Sequence, residues 1–162
     1  MQETGALKVS TPSDIEVVVT RAFAAPRNLV FRAFTECQYL KRWMTGPGDW
    51  ELAVCEIDLR VGGRYRYVMR GPEGEEMGWG GAYREIAAPE RVVNTELFDE
   101  DWTGGETLVT NTFDEQSGRT TLTMTVLYAS KEARDGAIAT GMTEGMEMGF
   151  KLLDELLTSM QG

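Results

Sequence analysis

The sequence predicts one α+β domain, a curved seven-stranded antiparallel sheet wrapped around a long C-terminal helix, with two short helices between strands 1 and 2. Three observations carry this. Between Ile15 and Tyr128, apolar side chains recur at every second position in separate short stretches. From Ser130 to Gln161 the period becomes helical: at about 100° per residue, Ile138, Met142, Met146, Phe150, Leu153, Leu156, Leu157 and Met160 share one face, while Thr140, Glu144, Glu147, Lys151, Asp154 and Thr158 share the other. Finally, a sheet with one wet face must bury the other, and only that last helix is long enough to cover it.

The elements follow in order. Residues 1–14 read as a flexible lead-in, and residues 15–162 as the domain. Ile15 to Phe23 is a β-branched first strand with Ile15, Val17 and Val19 on one face. Pro26 suits a first helical turn, so Pro26 to Thr35 is a short helix, and Glu36 to Met44 is a second with Tyr39, Leu40 and Trp43 on one face. Thr45-Gly46-Pro47-Gly48 breaks it. Strands then run from Trp50 to Leu59, Arg64 to Arg70, Glu76 to Ala87, Arg91 to Phe98, Glu106 to Asp114 and Arg119 to Tyr128. Gly78, Gly80 and Gly81 within one strand predict a bulge or sharp bend. Asp99 to Gly105 reads as an acidic loop around Trp102. In the final helix Ser130 is placed as N-cap. Gly141, Gly145 and Gly149 recur every fourth residue at a cost of about 1 kcal/mol each against alanine, which predicts close approach of a neighbour or room for a ligand.

Composition bounds the function. A net charge of −10 argues against nucleic acid and anionic membranes, which reward Lys and Arg. No apolar run approaches the roughly 20 residues of a membrane-spanning helix, and the N-terminus lacks the basic and apolar regions of a secretion signal. The two cysteines, Cys37 and Cys55, read as too few for a disulfide framework or a zinc site, which points to a reducing cytoplasm. Histidine is absent, which removes Ser–His and Cys–His pairs and the usual metal ligands. Neither a metal nor a cofactor is expected.

Several local words carry a resemblance: Trp43 with Gly46-Pro47, Asp58-Leu59-Arg60 with Gly62-Gly63, Gly81 with Tyr83 and Glu85, and Pro89-Glu90-Arg91. Together, from about Ile15 to Leu157, they resemble the SRPBCC superfamily of START-like, pollen-allergen-like helix-grip proteins. Within it they are similar to the group named for the activator of the heat-shock protein 90 ATPase. The Gly-Trp pair usual in that group's final helix is Gly149-Phe150 here. The resemblance implies the helix-grip fold with a central cavity. It also implies a choice among lipid or small-molecule binding, cyclase or hydroxylase chemistry, and chaperone association.

Parity and helical phase put Tyr65, Tyr67, Met69, Met77, Trp79, Tyr83, Met124, Met142, Met146 and Phe150 toward that cavity, with Trp43 and the Thr45–Trp50 loop at its mouth. Met adapts to irregular space, and aromatics with a polar tip fix an apolar ligand at one point. Each of these side chains taken singly also suits an ordinary packed core. For catalysis the candidates are Glu85, which shares parity with Tyr83, and Tyr67; Glu96, in parity with Val92 and Phe98, ranks behind them. An inward carboxylate would have a raised pKa unless Arg64, Arg66 or Arg84 paired with it. The leading expectation is a binding module for a small hydrophobic or amphipathic molecule. A cyclase/dehydratase-like enzyme in the same cavity is the alternative, and a protein-interaction module acting through a chaperone or homodimer contact is the third.

Overall fold

Alternation along the chain becomes one antiparallel sheet of eight strands: β1 (Lys8–Ser10), β2 (Glu16–Phe23), β3 (Glu51–Ile57), β4 (Arg64–Arg70), β5 (Glu76–Ala87), β6 (Arg91–Phe98), β7 (Thr107–Gln116) and β8 (Arg119–Leu127). Their order across the sheet is β1-β2-β8-β7-β6-β5-β4-β3. The helices are α1 (Arg27–Thr35), α2 (Cys37–Trp43), α3 (Lys131–Ala139) and α4 (Met142–Gln161). This computed structural model describes residues 7–45, 49–100 and 105–161. The expected breaker at Gly46-Pro47-Gly48 and the Trp102 portion of the acidic loop lie outside the described residues.

Three expectations are corrected. The lead-in contains β1, whose Lys8, Val9 and Ser10 pair with Thr20, Val19 and Val18. β1 satisfies backbone groups that an edge strand β2 would leave open. Next, the C-terminal helix is two helices. Ser130 does cap α3, its hydroxyl accepting from Ala133 N at 3.1 Å, but α3 ends at Thr140 and Gly141 adopts a left-handed φ of +84°. Only a residue without Cβ takes that turn cheaply. Lastly, Cys37 and Cys55 are joined in a disulfide, with Cα atoms 5.8 Å apart. The eighteen-residue spacing looked casual because nothing local brings α2 beside β3; tertiary packing does.

The interior lies between the sheet's concave face and α4. From α4, Phe150, Leu153, Leu156 and Leu157 are buried against Val17, Val19, Phe23 and Leu122. Arg21 shares the parity of these β2 residues and is itself buried, its guanidinium gripping Asp154 of α4 with two bonds of 2.7 Å. It also lies over the Phe23 ring at 4.7 Å. The pair ties α4 to β2 on the sheet's concave face.

The glycine stripe has no common cause. Gly141 makes the turn, and a Cβ on Gly149 would stand 3.4 Å from the Trp43 carbonyl oxygen, so α2 approaches closely there. Gly145 is exposed with nothing near it. The bend expected at Gly78, Gly80 and Gly81 falls instead between Tyr83 and Glu85.

Candidate functional site

Two aromatic clusters divide the interior. Phe23, Phe34, Trp43, Phe113 and Phe150 meet at centroid distances of 4.9–6.1 Å. The indole N–H of Trp43 donates to Ala33 O at 2.9 Å. This end is close-packed: Phe23 and Phe113 are fully buried and the rings meet tilted or edge-on, as rings in solid cores do. The second cluster is tyrosine-rich. Tyr65 touches Tyr67 and Tyr83 at 5.0 and 5.5 Å, and Tyr67 leads through Trp79 to Phe98 at 5.6 and 5.4 Å.

Beside the second cluster the β5–β6 ladder lapses: pairing runs through Gly80↔Leu97, skips Gly81 and Ala82, and resumes at Tyr83↔Asn94. The groups so released are met by side chains. Ala82 N donates to Thr95 Oγ1 at 2.9 Å, and Thr95 O accepts from the Tyr65 hydroxyl at 2.6 Å and from Asn94 Nδ2 at 3.2 Å. Asn94 Nδ2 also donates to the Tyr65 hydroxyl at 3.0 Å. Tyr65 is thereby locked, and the next residue on β6, Glu96, is left at the edge of the gap.

Glu96 is the group that matters most here. It points to the concave side, as Val92 and Phe98 do, and its carboxyl is enclosed by protein. Enclosure pushes its pKa up to about 7, because burial disfavours the ionised form. No ion pair or hydrogen bond among the described residues engages that carboxyl, yet the residue keeps surface that water can touch. The carboxyl thus sits at the rim of the interior, half-buried and with one side open to water. Tyr67 has the same character. Met77, Met124, Met142 and Met146 likewise pack against the core while remaining half-buried. They come from β5, β8 and the first half of α4.

The surrounding phenols are held neutral. Burial first, then the negative charge of Glu96, pushes Tyr128 up to about 12 and Tyr65 higher still. Burial raises Tyr67 and takes Tyr83 to about 12. Tyr128 donates to Met142 Sδ at 3.5 Å, which joins the end of β8 to the start of α4. Asn111, on the same concave face, buries an Oδ1 that receives no donor.

The site residues expected from sequence thus separate. Trp43 and Phe150 belong to the solid phenylalanine end. Tyr65, Met69, Trp79 and Tyr83 are buried, and Tyr67, Met77, Met124, Met142 and Met146 are half-buried against the core. Glu85 is corrected: it is exposed and pairs with Arg91 at 2.9 Å. The reason is the bulge, where one extra residue on β5 reverses parity, so Ile86 and not Glu85 follows Tyr83 inward. None of the three arginines proposed as partners reaches Glu96 in an ion pair; Arg66 binds Asp99 on the outer face, with both bonds at 2.6 Å. That outer face carries a shallow groove of about 520 Å³ over Glu56, Arg66, Leu97 and Asp99. Among the described residues no group of three or more Cys, Asp or Glu is arranged to hold a metal.

Comparison with known proteins places this geometry. The family described as activator of Hsp90 ATPase homolog 1-like protein matches residues 24–158. The chain belongs to that family. It is accordingly an SRPBCC domain, and its sheet and long terminal helix form the helix-grip arrangement. A solved protein from Rhodobacter sphaeroides is 35% identical, with a TM-score of 0.89 over 94% of this chain and 98% of that one. One from Mycobacterium smegmatis is 28% identical, with a TM-score of 0.80 over 96% and 97%. One from Nitrosomonas europaea is 26% identical, with a TM-score of 0.82 over 93% and 99%. No curated protein matches the chain. With such coverage, α1, α2, the sheet and α4 of this activator of Hsp90 ATPase homolog 1-like domain all belong to the shared fold. Of Glu96 the sequence shows only its parity; the lapse in pairing beside it is a tertiary fact.

Proposed function

We propose that the protein binds a small hydrophobic or amphipathic molecule in the recess between the sheet and the first half of α4. The observation that carries this reading is that Tyr67, Glu96, Met142 and Met146 keep surface on the inward side, while Phe23, Phe113 and Phe150 keep almost none. Adaptable methionines supply the apolar walls, and the phenol of Tyr67 and the Glu96 carboxyl supply points of orientation. The test is native mass spectrometry followed by thermal-shift screening against fatty acids, flavonoids and fused-ring aromatics. A ligand at about 100 times its dissociation constant adds roughly 2.7 kcal/mol of stability. A saturable shift that Met146→Trp abolishes, by filling the recess, is the expected result. An empty mass and no shift across the panel would sink the reading.

A second reading is favoured by one observation, the uncompensated Glu96 carboxyl. Its position suits proton transfer in a cyclase- or dehydratase-like reaction, in the role first considered for Glu85. In that case Glu96→Gln keeps ligand binding and loses turnover.

A further inference from the structure

The recess is unusual in its balance of donors and acceptors. Glu96 offers two carboxylate oxygens that no hydrogen bond or ion pair among the described residues engages. The buried cations of the interior are already engaged: Arg21 by Asp154, and Arg134 by Asp135 and by Ser13 O at 2.7 Å. The tyrosine hydroxyls near Glu96 have partners of their own, Tyr65 with Thr95 O and Tyr128 with Met142 Sδ. What this place lacks is a cation that donates hydrogen bonds. Aromatic faces beside a carboxylate favour the same kind of group, because a ring face attracts positive charge.

We propose that the ligand is an amphipathic amine, whose ammonium pairs with the Glu96 carboxylate beside the tyrosine cluster while its apolar body lies against Met142 and Met146 of α4. The proposal rests on the binding reading above and deepens it. A neutral ligand of the same shape would fill the methionine wall and leave the carboxylate unpaired. An anionic one, such as a fatty acid, would set like charges against each other. Selectivity for charge is therefore the distinguishing property.

The experiment compares 2-naphthylmethylamine with 2-naphthylmethanol by isothermal titration at about pH 8, where Glu96 is ionised and the amine protonated. Wild-type protein should bind the amine at least about tenfold more tightly than the alcohol, the ratio expected for a charge-assisted bond in an enclosed site. In Glu96→Gln the ratio should fall to near one through loss of amine affinity, with alcohol affinity unchanged. Equal affinities in wild type would overturn the amine proposal and leave the binding reading standing. Binding of neither probe, together with an unresponsive ligand panel, would remove both. If Glu96→Gln does not fold, wild-type binding of N-acetyl-2-naphthylmethylamine replaces it: affinity equal to that of the free amine would equally overturn the proposal.

Discussion

A single carboxyl sets the residue-scale chemistry. Glu96 is raised from the ordinary 4.5 to about 7 by burial, so between those values the folded chain holds a proton that the unfolded chain has released. Stability is then highest below about pH 4.5 as far as this group is concerned, falls as pH rises through about 7, and is level above it. The full effect amounts to about 3 kcal/mol at most. The sequence contains no histidine, which leaves that window clear of the usual titrating side chain. Urea unfolding at pH 5 and pH 8 should show wild type losing stability between the two, while Glu96→Gln loses far less. Equal losses in both proteins would mean that the carboxyl is solvated in the native state.

At the scale of elements, the two C-terminal helices owe their separation to one backbone angle. Gly141→Ala forces a side chain into φ +84° and should cost about 1–2 kcal/mol. Gly145 is helical, exposed and without neighbours, so Gly145→Ala should stabilise by about 0.5–1 kcal/mol. Opposite signs in paired thermal melts are the expected outcome; two destabilised variants would restore the idea of a functional glycine stripe. The disulfide joins α2 to the edge strand β3 across eighteen residues. Reduction should lower stability by about 3 kcal/mol through the greater freedom of the unfolded chain. Melts with and without dithiothreitol, alongside a Cys37→Ser/Cys55→Ser double variant, measure it. An unchanged melting temperature would show that packing alone holds α2 in place.

Across the whole molecule, α4 is held to the sheet by a greasy face at one end and by one ion pair. The Arg21 side chain is 1% exposed and that of Asp154 is 32% exposed, so removing the carboxylate strands an enclosed cation. Asp154→Ala should cost about 3 kcal/mol, whereas Arg21→Met with Asp154→Leu should fall within about 1 kcal/mol of wild type, because apolar contacts replace a costly desolvated pair. A double-variant cycle in urea checks this. A double variant as unstable as Asp154→Ala would show that the pair specifies the crossing angle itself. The other half of α4, from Met142 to Met148, is joined to the end of β8 by the weaker Tyr128–Met142 bond.

Periodicity alone determined the seven main strands, the two short helices α1 and α2, the inward parity of Tyr65, Tyr67, Met77 and Met124, and the helical seam from Phe150 to Leu157. Those are local consequences of burying every second or every third-to-fourth residue, and local rules can be read along a chain. Parity also continued one step too far, carrying Glu85 inward where the bulge turns it out. Tertiary structure decided everything that depends on two distant segments meeting. It paired Cys37 with Cys55 and placed Arg21 on Asp154. It added β1 to an open edge, and it opened the β5–β6 ladder beside Glu96. A carboxylate is costly only when what surrounds it fails to compensate its charge, and no sequence pattern states what surrounds a residue.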